Sequence, residues 1–220
     1  MMWIKICGIT NLPDALTAVD AGADALGFVF YENSPRHVDQ ETARRIVRDL
    51  PGTIEKVGVF VNQTEDSICA LADEADLTAV QLHGDDMDPH VADLIVERRP
   101  HLKVVVGISM NHAKPEGLAM MWRPDVVHAF LVDTGISSKY GGTGQTFNWQ
   151  AGQPSVEVIS RLGQVVVAGG LNAGNVTEAV RILKPWGVDV SSGVEAKPGK
   201  KDPHKIRAFV DAVRQADKKN

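Results

Sequence analysis

The chain has 220 residues, 44% of them hydrophobic, and carries a formal net charge of -5. That supplies apolar material for a full core and lacks the basic surplus that tracks a nucleic-acid backbone, so nucleic acid is not an expected partner. Two widely spaced cysteines argue against a disulfide scaffold, no apolar run approaches a membrane span, and the residues after Met1 read as a strand rather than a leader. The expectation is a cytoplasmic protein with reduced thiols and no membrane partner.

Short β-branched runs alternate with helical stretches along the whole chain. The runs are WIKICGI (3–9), ALGFVF (25–30), KVGVFV (56–61), AVQLHG (79–84), KVVVGIS (103–109), HAFLVDT (128–134), QVVVAGGL (164–171) and VDVSSGV (188–194). Several are apolar throughout, as strands covered on both faces are. Asn11, Pro13 and Asp14 offer a cap and an early proline for the first helix. In 40–50, Ala43, Ile46, Val47 and Leu50 share one face, with Arg44, Arg45 and Asp49 opposite, and Pro51-Gly52 ends the helix. In 65–75, Ile68, Leu71, Ala72 and Ala75 share a face, and 203–216 predicts a last helix. Eight βα units predict a (β/α)8 TIM barrel, one domain over 1–220. The strand count favours the barrel over a doubly wound open sheet, and the absence of GxGxxG after the first strand weakens the dinucleotide-binding version of that rival.

Barrel active sites form at the C-terminal ends of the strands, so the strand ends are where chemistry is expected. The seventh and eighth runs end in Gly169, Gly170 and in Ser191, Ser192, Gly193. Glycines let a backbone approach a ligand, and amides at a helix start point at anions. As a pair, at these ordinal positions, the loops predict a phosphate grip; each alone reads as an ordinary turn. Cys7 closes the first run, with Lys5 on the same side of the pleat. A cation lowers a thiol from its usual value of about 8.5, so Cys7 reads either as a small buried hydrophobe or as a base. Cys69 lies in a helical pattern and is assigned to the core.

Asp133 closes the apolar sixth run, where desolvation raises a carboxyl pKa and suits it to act as an acid, unless it caps a turn or pairs with a lysine. Arg36 stands at the mouth and fits a carboxylate or phosphate, the alternative being a solvated loop arginine. Gln81 and His83 close the fourth run as hydrogen-bonding residues of the mouth or upper core. Gly141–Gly144, within the 135–146 loop, reads as a lid or a turn; it is not a P-loop. The seven histidines show no HExxH or paired ligand spacing, and there is no GxSxG. No metal is expected.

Taken together, KICGIT (5–10), GFVF with SPR and Val38 (27–38), KVGVFVN (56–62), VQLHG (80–84), LVDT (131–134), GGTG with FNW (141–149), AGGLN with NV (168–176) and VDVSSGVE with PGKKD (188–202) occur in one order across nearly the whole chain. In this the chain resembles the phosphoribosylanthranilate isomerases of tryptophan biosynthesis. The resemblance implies an Amadori rearrangement of N-(5-phosphoribosyl)anthranilate to 1-(2-carboxyphenylamino)-1-deoxyribulose 5-phosphate. It implies Asp133 as the acid on the ring oxygen, Cys7 as the base at the sugar C2, and Arg36 on the anthranilate carboxylate. Gly169, Gly170 and 191–193 would hold the phosphate, and Gln81 and His83 would also be substrate-binding residues. No cofactor is implied, the partner is a small phosphosugar, and monomer and homodimer both suit the scaffold. Asn148 stands where the family often has aspartate. The related histidine-pathway isomerase is expected to carry an acidic residue in place of Cys7. Indole-glycerol-phosphate synthase needs a catalytic lysine and an extra N-terminal helix. An isomerase serving both pathways, or a non-catalytic phosphosugar binder, are the remaining alternatives.

Overall fold

A computed structural model of the chain describes residues 1–84, 88–134 and 146–218. Eight parallel strands run in sequence order: β1 (Trp3–Cys7), β2 (Ala25–Val29), β3 (Glu55–Val61), β4 (Ala79–His83), β5 (Lys103–Ser109), β6 (Val127–Asp133), β7 (Gln164–Val167) and β8 (Gly187–Val190). β8 pairs back onto β1 and closes the barrel. Between them lie α1 (Leu12–Asp20), α2 (Gln40–Arg48), α3 (Glu65–Glu74), α4 (His90–Arg98), α5 (Pro115–Ala119), α6 (Trp149–Ile159) and α7 (Val176–Leu183). After β8 come a 3-10 turn (Ser192–Val194), a hairpin of β9 (Glu195–Lys197) and β10 (Lys200–Lys201), and α8 (Pro203–Asp217).

Local chemistry fixes the helix starts. The Asn11 side chain accepts from the Asp14 amide at 3.0 Å, with Pro13 in the first turn. Asp39, Thr64 and Asp202 cap α2, α3 and α8 in the same way. Each such cap contributes about 1 kcal/mol. On α2, Ala43, Ile46 and Val47 are buried, and on α8, Ile206, Phe209, Val210 and Val213 face the sheet. Phe209 is fully buried, so truncating it to Ala would cost about 3–5 kcal/mol.

Strand alternation divides the molecule into two interiors. Ile4, Ile6, Leu26, Phe28, Phe60, Val80, Leu82, Phe130 and Val132 point outward into one continuous shell beneath the helices. The other face of each strand fills the barrel. One end of that interior is apolar, with Ala25, Val57 and Ala79 against Trp3. Val105, Ala129, Leu131, Val166 and Ala168 form a second apolar group. Between these and the mouth lie three polar side chains, Lys5, Gln81 and Asp189, all buried. Barrel layers are ordinarily filled by branched apolar residues, so buried polar groups here mark function rather than packing.

β1 ends two residues before its expected run does, β2, β4 and β6 one residue before theirs, and two strands stop four residues short. β7 stops at Val167 rather than 171, and β8 at Val190 rather than 194. Beyond Ala168, Gly169 and Gly170 both adopt positive φ (82° and 64°), which β geometry forbids and glycine permits. After Val190 the chain coils into the 3-10 turn. Among the lysines at 197, 200 and 201, Lys201 turns inward and is 2% exposed.

Candidate active site

Cys7, Asp133 and His83 are the last residues of β1, β6 and β4, and all three line one cavity at the C-terminal mouth. Arg36, Gln81, Gly169, Gly170, Ser191 and Ser192 line it as well. Gly193 lies behind the wall, against the β7–α7 loop. The cavity measures about 900 Å³ with its open mouth included, within the range of small-molecule sites. Gly141–Gly144 falls outside the described residues. Cys69 is buried in the helix shell, as expected of a core thiol.

Beneath the cavity, the Lys5 ammonium donates to Gln81 Oε1 at 2.7 Å and to Asp189 Oδ1 at 2.9 Å. Burial alone would depress the Lys5 ammonium, but Asp189 and Cys7 outweigh it and hold its pKa above the ordinary value. Lys5 therefore remains a cation inside the barrel. Gly27, the partner of Cys7 in the β1–β2 register, makes room for both side chains. A Cβ there would lie 2.7 Å from Cys7 Sγ and 3.0 Å from Lys5 Cε.

The charge states of the two strand-end groups follow from this setting. The sequence suggested that Lys5 lowers the Cys7 thiol. Burial proves the larger effect and pushes it above its usual value, with Lys5 acting only as a partial offset. Burial also lifts Asp133 to about 6; the Thr134 amide opposes the lift and Asp189 adds to it. His83 is driven down to about 4 by burial and by the Lys5 charge, so its imidazole is neutral at physiological pH.

Several polar groups at the mouth lack partners. His83 Nδ1 and Ser191 Oγ are buried without a hydrogen bond among the described residues. The amides of Gly169, Gly170, Ser192 and Gly193, on partly exposed residues, likewise have no acceptor among the described residues. Buried polar atoms without a partner are uncommon in native proteins, which sets His83 Nδ1 and Ser191 Oγ apart. Amides converging from two loops suit an anion.

Arg36 is not the solvated loop arginine that its position also allowed. It is 7% exposed, and its Nε and Nη2 donate to the two carboxylate oxygens of Glu195 at 2.8 and 2.7 Å. A guanidinium carries five N–H donors, so three remain, including both on Nη1. Gln81 likewise gives its carbonyl to Lys5, leaving its amide nitrogen as the group it can offer. Sequence reasoning missed Asp189, Glu195 and Lys201. The period-2 pattern placed Lys5 and Asp189 on the inner face, and a cation and an anion inside a closed barrel must pair. That signal was available. Pro198-Gly199, a strong turn dipeptide, likewise marked the hairpin that carries Glu195 and Lys201.

A closed parallel barrel with its polar cavity at the strand C-termini defines a (β/α)8-barrel enzyme. The family model of N-(5'phosphoribosyl)anthranilate (PRA) isomerase matches residues 4–212, and the chain belongs to that family. It is 46% identical over 215 residues to the N-(5'-phosphoribosyl)anthranilate isomerase of Pelobacter propionicus, covering 98% of this chain and 97% of that one. A crystal structure of phosphoribosyl anthranilate isomerase in complex with reduced 1-(o-carboxyphenylamino)-1-deoxyribulose 5-phosphate matches with a TM-score of 0.84 at 39% identity, over 98% of this chain and 100% of that one. Monomers generated from the dimeric isomerase of Thermotoga maritima match equally, with a TM-score of 0.84 at 40% identity and the same coverage.

Proposed function

We infer that this chain, as one barrel domain, converts N-(5-phosphoribosyl)anthranilate to 1-(2-carboxyphenylamino)-1-deoxyribulose 5-phosphate in tryptophan biosynthesis. The observation that carries the catalytic reading is a shared cavity. Cys7 on β1 and Asp133 on β6, three strands apart around the barrel, face a space also lined by Gly169, Gly170 and Ser192. The unpartnered amides of these loops suit a phosphate, and the free Nη1 of Arg36 suits the anthranilate carboxylate. Anchors at both ends of the substrate would set the sugar between the acid and the base.

The reaction begins with Asp133, protonated, giving its proton to the furanose ring oxygen. The ring opens as the amine lone pair forms a protonated imine. That imine acidifies C2–H, and the Cys7 thiolate takes the proton. The resulting enolamine tautomerises to the ketone. Electrons are only redistributed, so the balance requires no redox cofactor. Asp133, with a pKa of about 6, is near the value a general acid needs at neutral pH. The Cys7 thiolate is scarce in the free protein, because burial holds the thiol up; Lys5 is the cation placed to stabilise it once formed. Neutral His83 offers a hydrogen bond without adding charge. Every group in this scheme comes from one chain, so monomer and homodimer serve it equally.

Cys7→Ala and Asp133→Ala are expected to abolish turnover while binding reduced 1-(o-carboxyphenylamino)-1-deoxyribulose 5-phosphate with near-native affinity. Each acid–base group contributes roughly 10²–10⁴-fold when well placed. Near-normal rates in both variants would refute the mechanism. Assay of the purified protein on the histidine-pathway aminoaldose substrate decides whether a second isomerase activity accompanies the first.

A further inference from the structure

The sequence beyond β8 folds back into a hairpin whose buried charges meet Arg36. Glu195 takes the Nε–Nη2 edge of the guanidinium with both carboxylate oxygens. From the other side, Lys201 Nζ donates to Glu195 Oε1 at 3.0 Å and to the backbone oxygen of Ser191 at 3.2 Å. The side chains are 9%, 4% and 1% exposed for Arg36, Glu195 and Lys201. Burial alone would raise the Glu195 carboxyl, but its bonds to Arg36 and Lys201 outweigh that and keep it ionised. Arg36 and Lys201 thus flank one carboxylate from two sides, burial pulling the Lys201 ammonium below its ordinary value and Glu195 opposing that, with Arg36 as the member on the cavity.

A long arginine side chain is otherwise free to rotate, and ordering it at the moment of binding weakens affinity. Here that freedom is already removed. The stem lies across Gly8, where a Cβ would come within 2.6 Å of Arg36 Cδ. The Nε–Nη2 edge is occupied, so the Nη1–Nη2 edge is the fork left to a second carboxylate. The Ser191 carbonyl and the Ser192 amide belong to one trans peptide, in which C=O and N–H point in opposite directions. By holding that carbonyl, Lys201 turns the Ser192 N–H away from itself; Ser192 lines the cavity.

We propose that Glu195 is a positioning residue that aims Arg36 at the substrate's carboxylate, and that Lys201 braces this pair against the Ser191–Ser192 peptide. The proposal rests on the reading of Arg36 as the carboxylate anchor. It assigns substrate discrimination to a hairpin that touches no reacting atom. Glu195 should therefore act on binding, through Arg36, and leave the chemical step alone.

The test compares two probes, reduced 1-(o-carboxyphenylamino)-1-deoxyribulose 5-phosphate and its phenylamino counterpart without the carboxylate. Glu195→Gln is expected to weaken the carboxylated probe about ten-fold, the loss of one charge-assisted contact, and to leave the other within about two-fold. KM should rise in parallel while kcat changes little. In an Arg36→Met background, which itself removes the preference, Glu195→Gln should add nothing. Equal weakening of both probes, or an undiminished effect in that background, would show that Glu195 only supports the fold. If Arg36→Met left the preference intact, the anchor reading itself would fall, a result distinguishable from failure of Glu195 alone. Glu195→Asp, which keeps the charge but withdraws it by one methylene, should show a smaller split of the same kind. Should neither Glu195 variant fold, its role is stability and the proposal is overturned.

Discussion

Lys5 and Asp189 are register partners across the β1–β8 seam, and their side chains close to 2.9 Å inside the barrel. Neither has an easy substitute. Lys5→Met would leave the Asp189 charge without its ammonium, an effect that typically costs about 3–5 kcal/mol. Replacing both, by Lys5→Met with Asp189→Leu, should recover much of that loss, because no charge is then stranded. Urea unfolding at pH 7 measures both variants. Equal destabilisation by the single and the double change would mean that packing, not pairing, holds this layer.

Asp133 should be a liability for stability. Its pKa rises from 3.8 unfolded to about 6 folded, so between those values the folded state holds a proton that the unfolded chain lacks. Stability from this group therefore falls as pH rises through that window. A shift of two units corresponds to about 3 kcal/mol, and solvent in the cavity reduces it. Asp133→Asn is expected to gain about 1–2 kcal/mol at pH 7, shrinking toward zero near pH 4, while losing activity.

His83 acts with the opposite sign. Its pKa falls from 6.5 to about 4 on folding, so the unfolded chain takes up a proton first as pH drops. Its contribution rises with pH across that window. In the intact protein the two slopes offset each other. His83→Gln should consequently be more resistant than wild type at pH 5 relative to pH 7, and Asp133→Asn less so. Denaturant midpoints at the two pH values decide the matter; parallel shifts in both variants would contradict the assignment.

The Cys7 thiol should react slowly with iodoacetamide at neutral pH, and its alkylation rate should climb only above the usual thiol range. Lys5→Met should move that climb higher still, since it removes the offsetting cation. Activity should show an acidic limb near the Asp133 value of about 6 and a basic limb above the normal range for cysteine. Macroscopic limbs belong to the pair and do not by themselves say which group titrates at which value. Rapid alkylation at pH 7 that Lys5→Met leaves unchanged would show a thiolate stabilised by something other than Lys5.

Gly27→Ala should spare the fold and damage the site. The added carbon would meet Cys7 Sγ at 2.7 Å and Lys5 Cε at 3.0 Å, so both side chains must move. A drop in kcat of at least about ten-fold is expected, since displaced catalytic groups lose rate steeply. Circular dichroism checks the fold. Unaltered kcat would show that the thiol's position is not critical.

The architecture was legible because it is written in period and count. Eight apolar runs, each followed by an amphipathic helix, leave few alternatives to a closed barrel. Strand ends then located Cys7, His83 and Asp133 at the mouth. Strand lengths were overrun at β7 and β8, because Ala168–Gly170 and Ser191–Gly193 continue an apolar or small-residue pattern while their backbones have left the β region. The Glu195–Lys201 cluster was hidden for a different reason. A lysine run reads as solvent-facing, and only the return of the hairpin beneath Arg36 turns one of those lysines inward. Ionisation was equally hidden. The proximity of Lys5 to Cys7 could be read from spacing, but the cost of burying the thiol depends on everything packed around it.

Gly193→Ala is expected to be among the most disruptive changes of its size. A Cβ at that position would fall 1.9 Å from the backbone oxygen of Leu171, where no side chain can yield. Loss of substrate binding, or a fall in Tm of several degrees, should follow. Native-like affinity would require the two loops to separate without penalty.

That contact has a consequence for how such a barrel can change its habits. The loops after β7 and β8 approach main chain to main chain at Gly193 and Leu171, so this wall of the mouth tolerates little added side-chain volume there. Side-chain variety enters from the strands on the far side, β2, β3 and β4, whose Val29, Val59, Val61, Gln81 and His83 line the cavity. A library that randomises the ends of β2, β3 and β4 and leaves Cys7, Asp133, 169–170 and 191–193 untouched would, on the proposed phosphate grip, sample new aromatic headgroups on a constant phosphosugar tail.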